Sequence, residues 1–320
     1  IKSQTQKVPF ENVYIIVEDK NDPTTKIAKK YNANTIIRQK LELKRKGYAL
    51  MEAIEKITKT KNYDAYFIFD ADNILDKNYI SEMNKSFMSG YDIGIGYRLN
   101  KNKTNSIASS SHLIFTLVNE LSNKNRNKHN INCNCSGTGF YITGKLINKL
   151  KTYPFHSLTE DYEISLYACT NNLTTTYNRN ALFYDEQPTK FKIMWRQRVR
   201  WSRGHLLVFF TRVKDLFKSL FKHNKKNGFS LYDTMINCSP YTIAVMFAWF
   251  AKIICLLCAP LADLSMPIWE VYKQVFIGNN VTGNIFAFDL NSFSFINNGY
   301  LFHAIRTLIF SYTSTVIMAI

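Results

Sequence analysis

The chain has 320 residues, 46% of them hydrophobic, and a formal charge of +17 from 41 Lys and Arg against 24 Asp and Glu. That length suits one large domain or two smaller ones, and the absence of repeats, heptads and low-complexity tracts excludes solenoid and coiled-coil architectures. The charge is split: residues 1–230 carry 38 basic against 20 acidic side chains, and residues 231–320 carry 3 against 4. This is the pattern of a basic body against an anionic surface, followed by a nearly uncharged part inside a bilayer.

The first apolar run, 13–17, reads as a strand that ends in Glu18 and Asp19. Asp22 and Pro23 then open a helix to about residue 30, as N-cap and first-turn proline. A strand over 34–38 and a helix over 47–58 follow, the helix with Leu50, Ile54 and Ile57 on one face. Next comes Tyr66-Phe67-Ile68-Phe69, read as a buried strand of a parallel sheet that stops at Asp70-Ala71-Asp72-Asn73. Strand, helix, strand, helix, strand predicts an α/β domain with a mostly parallel sheet. Ligands of such sheets collect beyond the carboxyl ends of the strands. Asp70 and Asp72 stand there at i and i+2, which suits Mg2+ or Mn2+ held by one or two carboxylates and completed by phosphate and water.

Further on, the spacing predicts a helix over 77–89, a short strand over 92–95 and a helix over 106–121. A polar loop is expected over 123–134, with a strand near 141–143. In Cys135-Ser136-Gly137-Thr138-Gly139-Phe140 the glycines permit a tight turn or a close backbone approach to a ligand. Thr159 is placed to cap a helix whose first turn holds Glu160 and Asp161. Residues 185–188 close a strand and open a long helix over 189–220. On that helix Gln197, Arg200 and Trp201 share one face, an amide, a guanidinium and an indole suited to binding phosphate and stacking on a sugar. The same helix also reads as a basic amphipathic element lying on lipid.

Residues 241–262 are long and apolar enough to span a bilayer apart from Lys252, and 301–320 form a second candidate span. The expected organisation is a catalytic domain over 1–204, an interfacial amphipathic helix over 205–232 and a membrane-embedded region over 233–320. No signal peptide is visible, and a natural N-terminus upstream of residue 1 is expected.

Taken in order, Asp19, Lys46-Gly47-Tyr48-Ala49-Leu50, Asp70-Ala71-Asp72, Thr159-Glu160-Asp161 and Gln197-x-x-Arg200-Trp201 resemble the membrane-bound family 2 glycosyltransferases. That group includes cellulose, hyaluronan and poly-N-acetylglucosamine synthases, and the resemblance covers roughly residues 10–220. It implies a GT-A-like nucleotide-sugar domain followed by interfacial and transmembrane helices. By position, Asp19 resembles the residue that contacts the uracil of a UDP-sugar, and Lys46 the basic residue near the donor diphosphate. Asp70 and Asp72 resemble the donor- and metal-binding pair, with Asp72 as the direct ligand. Asp161 resembles the general base, next to Glu160, and Gln197, Arg200 and Trp201 the segment holding diphosphate and acceptor.

The implied activity is inverting transfer of N-acetylglucosamine or glucose from a UDP-sugar, with Mg2+ or Mn2+. The acceptor would be a saccharide at the cytosolic face of the plasma membrane. The expected partners are the nucleotide sugar, a saccharide or lipid-linked acceptor, membrane lipids, and an accessory membrane subunit or a second copy. Glycolipid or lipid-phosphate sugar transfer would use the same core. A non-catalytic basic membrane adaptor is the alternative of another class, although it would not need acids at two strand ends plus Thr-Glu-Asp. The basic residues are spread without a module that reads DNA or RNA, which argues against nucleic acid. Scattered cysteines argue against a disulfide framework, and Cys255 and Cys258 lack a second ligand pair for zinc. The chain departs from the group's pattern in lacking its first strand with an Asn-Glu turn, and in having no Phe-x-Val-Thr-x-Lys gating loop.

Overall fold

The computed structural model describes residues 1–102, 105–222 and 228–238. The chain divides into two units, Ile1–Thr234 and Met235–Ile320. The spans expected at 241–262 and 301–320 lie outside the described residues. Among the described residues, no helix is long and apolar enough to cross a membrane.

The first unit opens with β1 (Tyr14–Val17), α1 (Pro23–Lys30), β2 (Asn34–Ile37) and α2 (Lys46–Thr58). Asp22 caps α1 by accepting from the Thr24 amide at 2.8 Å, with Pro23 in the first turn as the sequence predicts. β1 and β2 pair in parallel as a two-stranded sheet. β3 (Ala65–Ile68), β4 (Ile74–Leu75), α3 (Tyr79–Met88), β5 (Ile93–Asn100), β6 (Phe140–Thr143) and β7 (Thr175–Asp185) build the second sheet and one of its covering helices.

The second sheet runs β3-β6-β5-β7-β4. It is mixed: β5 and β7 are parallel, whereas β3 with β6, β5 with β6 and β4 with β7 are antiparallel. The mostly parallel sheet expected from the sequence is therefore corrected. The βαβ repeat holds for β1 and β2, but β3 takes an antiparallel neighbour contributed 70 residues later, which no local pattern announces. Within the sheet, side chains alternate between two cores. Phe140 and Ile142 of β6 enter a core with Ile54, Ile57, Ile93 and Ile164, while Tyr141 enters another with Tyr79, Met83 and Phe183.

β5 is longer than the expected 92–95 strand and continues through Gly96 to Asn100, beside β7. Gly96 is required there, because a Cβ would sit 2.7 Å from the Tyr79 ring. The loop expected at 123–134 is also corrected in its first half. After α4 (Ser106–Leu117) the chain passes through a π-helical segment, Val118–Asn123, into α5 (Lys124–Lys128). Polar residues of this stretch point inward: buried Asn119 donates to the Arg98 carbonyl at 2.8 Å, and Asn123, where the expected loop begins, donates to the Asn134 carbonyl at 3.0 Å. A π-bulge of this kind re-aims side chains that a regular helix would turn elsewhere.

α6 (Gly144–Leu150) and α7 (Glu160–Thr170) complete the middle of the unit, and α8 (Phe191–Lys222) and α9 (Gly228–Cys238) its end. α8 packs on α7, where Gly204 leaves room for Thr159 and Arg212 pairs with Glu163 at 2.7 Å. α9 is pinned by Asp233 to buried Arg126 at 2.7 Å, and the Ser230 hydroxyl accepts from the Asn132 amide at 3.1 Å.

Candidate active site

Three strand ends and two helix starts converge. Lys46 is the first residue of α2, and Gly47 beside it lets that turn lie against the Phe155 carbonyl, which a Cβ would meet at 1.9 Å. From there the Lys46 ammonium pairs with Asp70, donates to the Gly137 carbonyl at 2.6 Å and stands 4.0 Å from Glu160. Asp70 follows β3, and its amide donates to Thr138 Oγ1 at 2.9 Å. Gly137 has φ +86, a left-handed conformation that glycine adopts without strain, and a Cβ on it would lie 3.5 Å from Asp161 Oδ2. Lys46, Asp70, Gly137, Glu160 and Asp161 therefore share one site, and the glycine turn is its wall.

The start of α7 holds both acids. Thr159 occupies the cap position, but among the described residues its buried hydroxyl has no hydrogen-bond partner; it faces Gly204 of α8 instead. Burial first, then the neighbouring Asp161, pushes the Glu160 carboxyl up to about 7, with Lys46 acting the other way. Crowding by protein also raises Asp161, although one side remains open to solvent. The Tyr162 amide, His205 and Lys46 oppose that shift. His205 of α8 stacks on Tyr162 with ring centroids 4.1 Å apart. Its crowded surroundings lower its pKa while Asp161 raises it.

Asp72 is exposed, and its pKa is raised by crowding, then by the carboxylates of Asp185 and Asp70. Asp185 arrives because β4 pairs with the end of β7, Ile74 opposite Tyr184, which brings Asn73 beside it. Asn73 Nδ2 donates to Asp185 at 2.9 Å and to Asp72 at 3.1 Å. Arg98 Nε and Gln187 Nε2 also donate to Asp185, at 3.0 and 2.6 Å. Sequence reasoning missed Asp185 and Arg98 as parts of the site. Their signals were an acid at a third strand end and a cation inside an otherwise apolar strand.

Among the described residues, no hydrogen bond or ion pair joins the other expected residues to the groups that Lys46 gathers. Asp19 follows β1 in the smaller sheet and is exposed, with its carboxylate accepting from the Asn21 amide at 2.9 Å. Gln197, Arg200 and Trp201 do lie on one continuous helix, α8. Trp201 is half-buried and meets Phe115 edge-on at 6.1 Å, whereas Arg200 is exposed. Arg198 also reaches α4, 3.4 Å from the hydroxyls of Ser110 and Ser111.

A divalent cation here would need oxygen donors from the acids of this site. Among the described residues no three His, Cys, Asp or Glu side chains converge as a ready-made cage. Asp185 is consumed by its three donors, and Asp70 is shared with Lys46. Asp72 carries surplus negative charge beside two other carboxylates, which fits a hard cation taking one or two protein oxygens and completing its shell from phosphate and water.

Fold and site together define an α/β enzyme whose acids gather beyond the ends of its strands, in reach of a lysine suited to an anionic substrate. Residues 67–320 match the model of the glycosyl transferase family group 2, and the chain belongs to that family. Over 82 residues it is 30% identical to the probable glycosyltransferase YdaM of Bacillus subtilis (strain 168). That match takes in 26% of this chain and 20% of the relative's length.

Proposed function

We propose that the protein is an inverting, metal-dependent glycosyltransferase that moves N-acetylglucosamine or glucose from a UDP-sugar to a saccharide acceptor. The observation that carries this reading is the single site in which Lys46 reaches Asp70, the Gly137 carbonyl and Glu160, with Asp161 against the same glycine turn. Inversion needs a base on the acceptor hydroxyl, charge neutralisation on the leaving diphosphate and alignment of the two. Asp161 takes the hydroxyl proton as the acceptor oxygen bonds to the anomeric carbon and the bond to the UDP oxygen breaks. Lys46 and Arg200 draw the diphosphate, Asp19 contacts the base, and Trp201 with Gln197 holds the acceptor end. Asp72 with Asp70 would hold Mg2+ or Mn2+, which supplies further neutralisation of the leaving group when bound.

The surface supports a place at the cytosolic face of the plasma membrane, against lipid. α4 and the first half of α8, which meet through Ser110 and Arg198, expose Leu113 and Leu117 on the one and Trp195 and Val199 with Lys192, Arg196 and Arg203 on the other. Apolar residues rimmed by cations suit an anionic interface. The same apolar face next to Trp201 favours a lipid-linked acceptor as the second reading.

The test is UDP release from a panel of UDP-sugars by the full chain with Mn2+ or Mg2+. Release that a chelator abolishes is expected; release from none of the panel overturns the reading.

A further inference from the structure

Arg98 stands in β5, 8% exposed, with nearly every part of its guanidinium engaged. Nε donates to Asp185 Oδ2 at 3.0 Å and Nη2 donates to the same oxygen, while Nη1 donates to the Ser136 carbonyl at 2.7 Å. The guanidinium carbon lies 3.9 Å from the centre of the Phe115 ring, and Phe115 in turn meets Trp201. Asp185 is joined through Asn73 to Asp72. The backbone under Arg98 is held by Asn119 of the π-helical segment. A line of contacts thus runs from the indole on α8, through one guanidinium, to the acid turn after β3. A branch reaches the Ser136-Gly137 backbone behind Asp161.

We propose that Arg98 is a positioning residue that holds Trp201, the wall behind Asp161 and the Asp70-Ala71-Asp72 turn in fixed relation. The inference rests on the glycosyltransfer reading above, with Trp201 on the acceptor side and the aspartates on the donor side. The guanidinium is suited to the task because it is planar and always charged: its edge fixes two partners at set angles while its face packs on an aromatic ring. Lysine keeps the charge but neither the fork nor the plane. In-line displacement depends on such alignment, since a misplacement of about 1 Å can cost about a hundredfold in rate. A buried ion pair is a weak source of stability by itself, so its placement between the two sides of the site is the informative feature.

The experiment is steady-state transfer by the full chain in detergent, with UDP-N-acetylglucosamine and UDP-glucose as donors. Mn2+ and oligosaccharides of the same sugars complete the assay, with folding checked by thermal unfolding. Arg98→Lys is expected to lower kcat by about ten- to hundredfold, as for groups that orient catalytic ligands, and to raise both donor and acceptor KM. Asp185→Asn is expected to raise the donor KM and the Mn2+ requirement, leaving the acceptor KM in place. Phe115→Leu is expected to do the reverse. A folded Arg98→Lys protein with unchanged kcat and KM values, or with a change in the donor KM alone, overturns the coupling. Should Arg98→Lys not fold, Phe115→Leu decides: a raised acceptor KM sustains the proposal and an unchanged one overturns it. A wild type inert towards both donors would instead overturn the reading above, transfer of N-acetylglucosamine or glucose from a UDP-sugar to a saccharide.

Discussion

At the start of α7 two acids stand side by side, and their surroundings separate what each can do. Asp161 keeps one side open to solvent and faces the glycine turn, while Glu160 is buried against Lys46. The accessible one is the base in our reading, so Asp161→Asn is expected to reduce kcat by about 10²–10⁴-fold while UDP binding by calorimetry stays close to wild type. Glu160 leads to a stability test. Its carboxyl titrates near 4.5 when unfolded and at about 7 when folded, because burial and Asp161 disfavour the charge. Between those values the folded state holds the proton that the unfolded state has lost. Stability therefore falls as pH rises from about 4.5 through about 7, and the penalty is complete above that. Glu160→Gln never takes up the charge. Its melting temperature relative to wild type is expected to climb over that window and level off above it, and a difference that stays flat with pH would contradict the assignment. At this scale Lys46, Asp70, Glu160 and Asp161 were legible because each has a local sequence context. Arg98 and Asp185 were not, since their roles arise from a pairing of β4 with β7 that brings residues 73 and 185 together.

Helix α8 illustrates what an element adds to its residues. The sequence gives its length and its Gln197, Arg200, Trp201 face, but its seat on α7 depends on Gly204, whose Cβ would lie 2.5 Å from Thr159 Cγ2 and 2.7 Å from Thr159 Oγ1. Two effects oppose each other in Gly204→Ala. Alanine favours the helix by about 1 kcal/mol, whereas overpacking a close contact costs about 1–3 kcal/mol. The clash meets a β-branched side chain that is buried, so destabilisation is expected to win in the wild-type background. In a Thr159→Ala background the obstacle is gone and no hydrogen bond is lost, because the threonine hydroxyl has none among the described residues. There Gly204→Ala is expected to stabilise by about 1 kcal/mol. Denaturant unfolding of the four proteins would check this reversal of sign, which reports direct coupling between the two positions. The same distinction explains the elements that were misread. Asn123 opens a polar stretch that reads as loop, yet its amide, like that of Asn119 just before it, is spent on a backbone carbonyl, and only the tertiary structure supplies those partners. The strand that contains Tyr66 is legible from its apolar run, but whether its neighbour is parallel or antiparallel depends on β6, far along the chain.

For the molecule as a whole, the division of charge seen in the sequence meets a division of structure at Thr234, where the first compact unit ends. The part of α9 up to Thr234 is anchored in this unit: Leu231 is buried, and Asp233 neutralises Arg126, which is itself buried. A chain ending at 222 would leave that guanidinium without its carboxylate, at a cost of about 3–5 kcal/mol for a broken buried pair. A chain ending at 238 keeps the pair and is expected to unfold cooperatively at higher temperature than the shorter one. That longer fragment also separates two proposed modes of membrane attachment, through the apolar region and through the basic surface. It lacks the apolar region and retains the surface of α4 and α8, where Trp195, Leu113 and Leu117 stand among Lys192, Arg196 and Arg203. Each Lys or Arg near an anionic leaflet contributes about 1 kcal/mol, an attraction that salt screens within a Debye length of about 8 Å at 0.15 M. Sedimentation with phosphatidylglycerol vesicles is therefore expected to carry the fragment down at low ionic strength and to release most of it in high salt. Phosphatidylcholine vesicles should retain little at either. Replacing Lys192, Arg196 and Arg203 together by Glu should abolish binding without lowering the melting temperature, since none of the three has its charge buried. Equal binding to both lipids, or binding by the triple variant, would overturn the proposed role of this face at an anionic membrane.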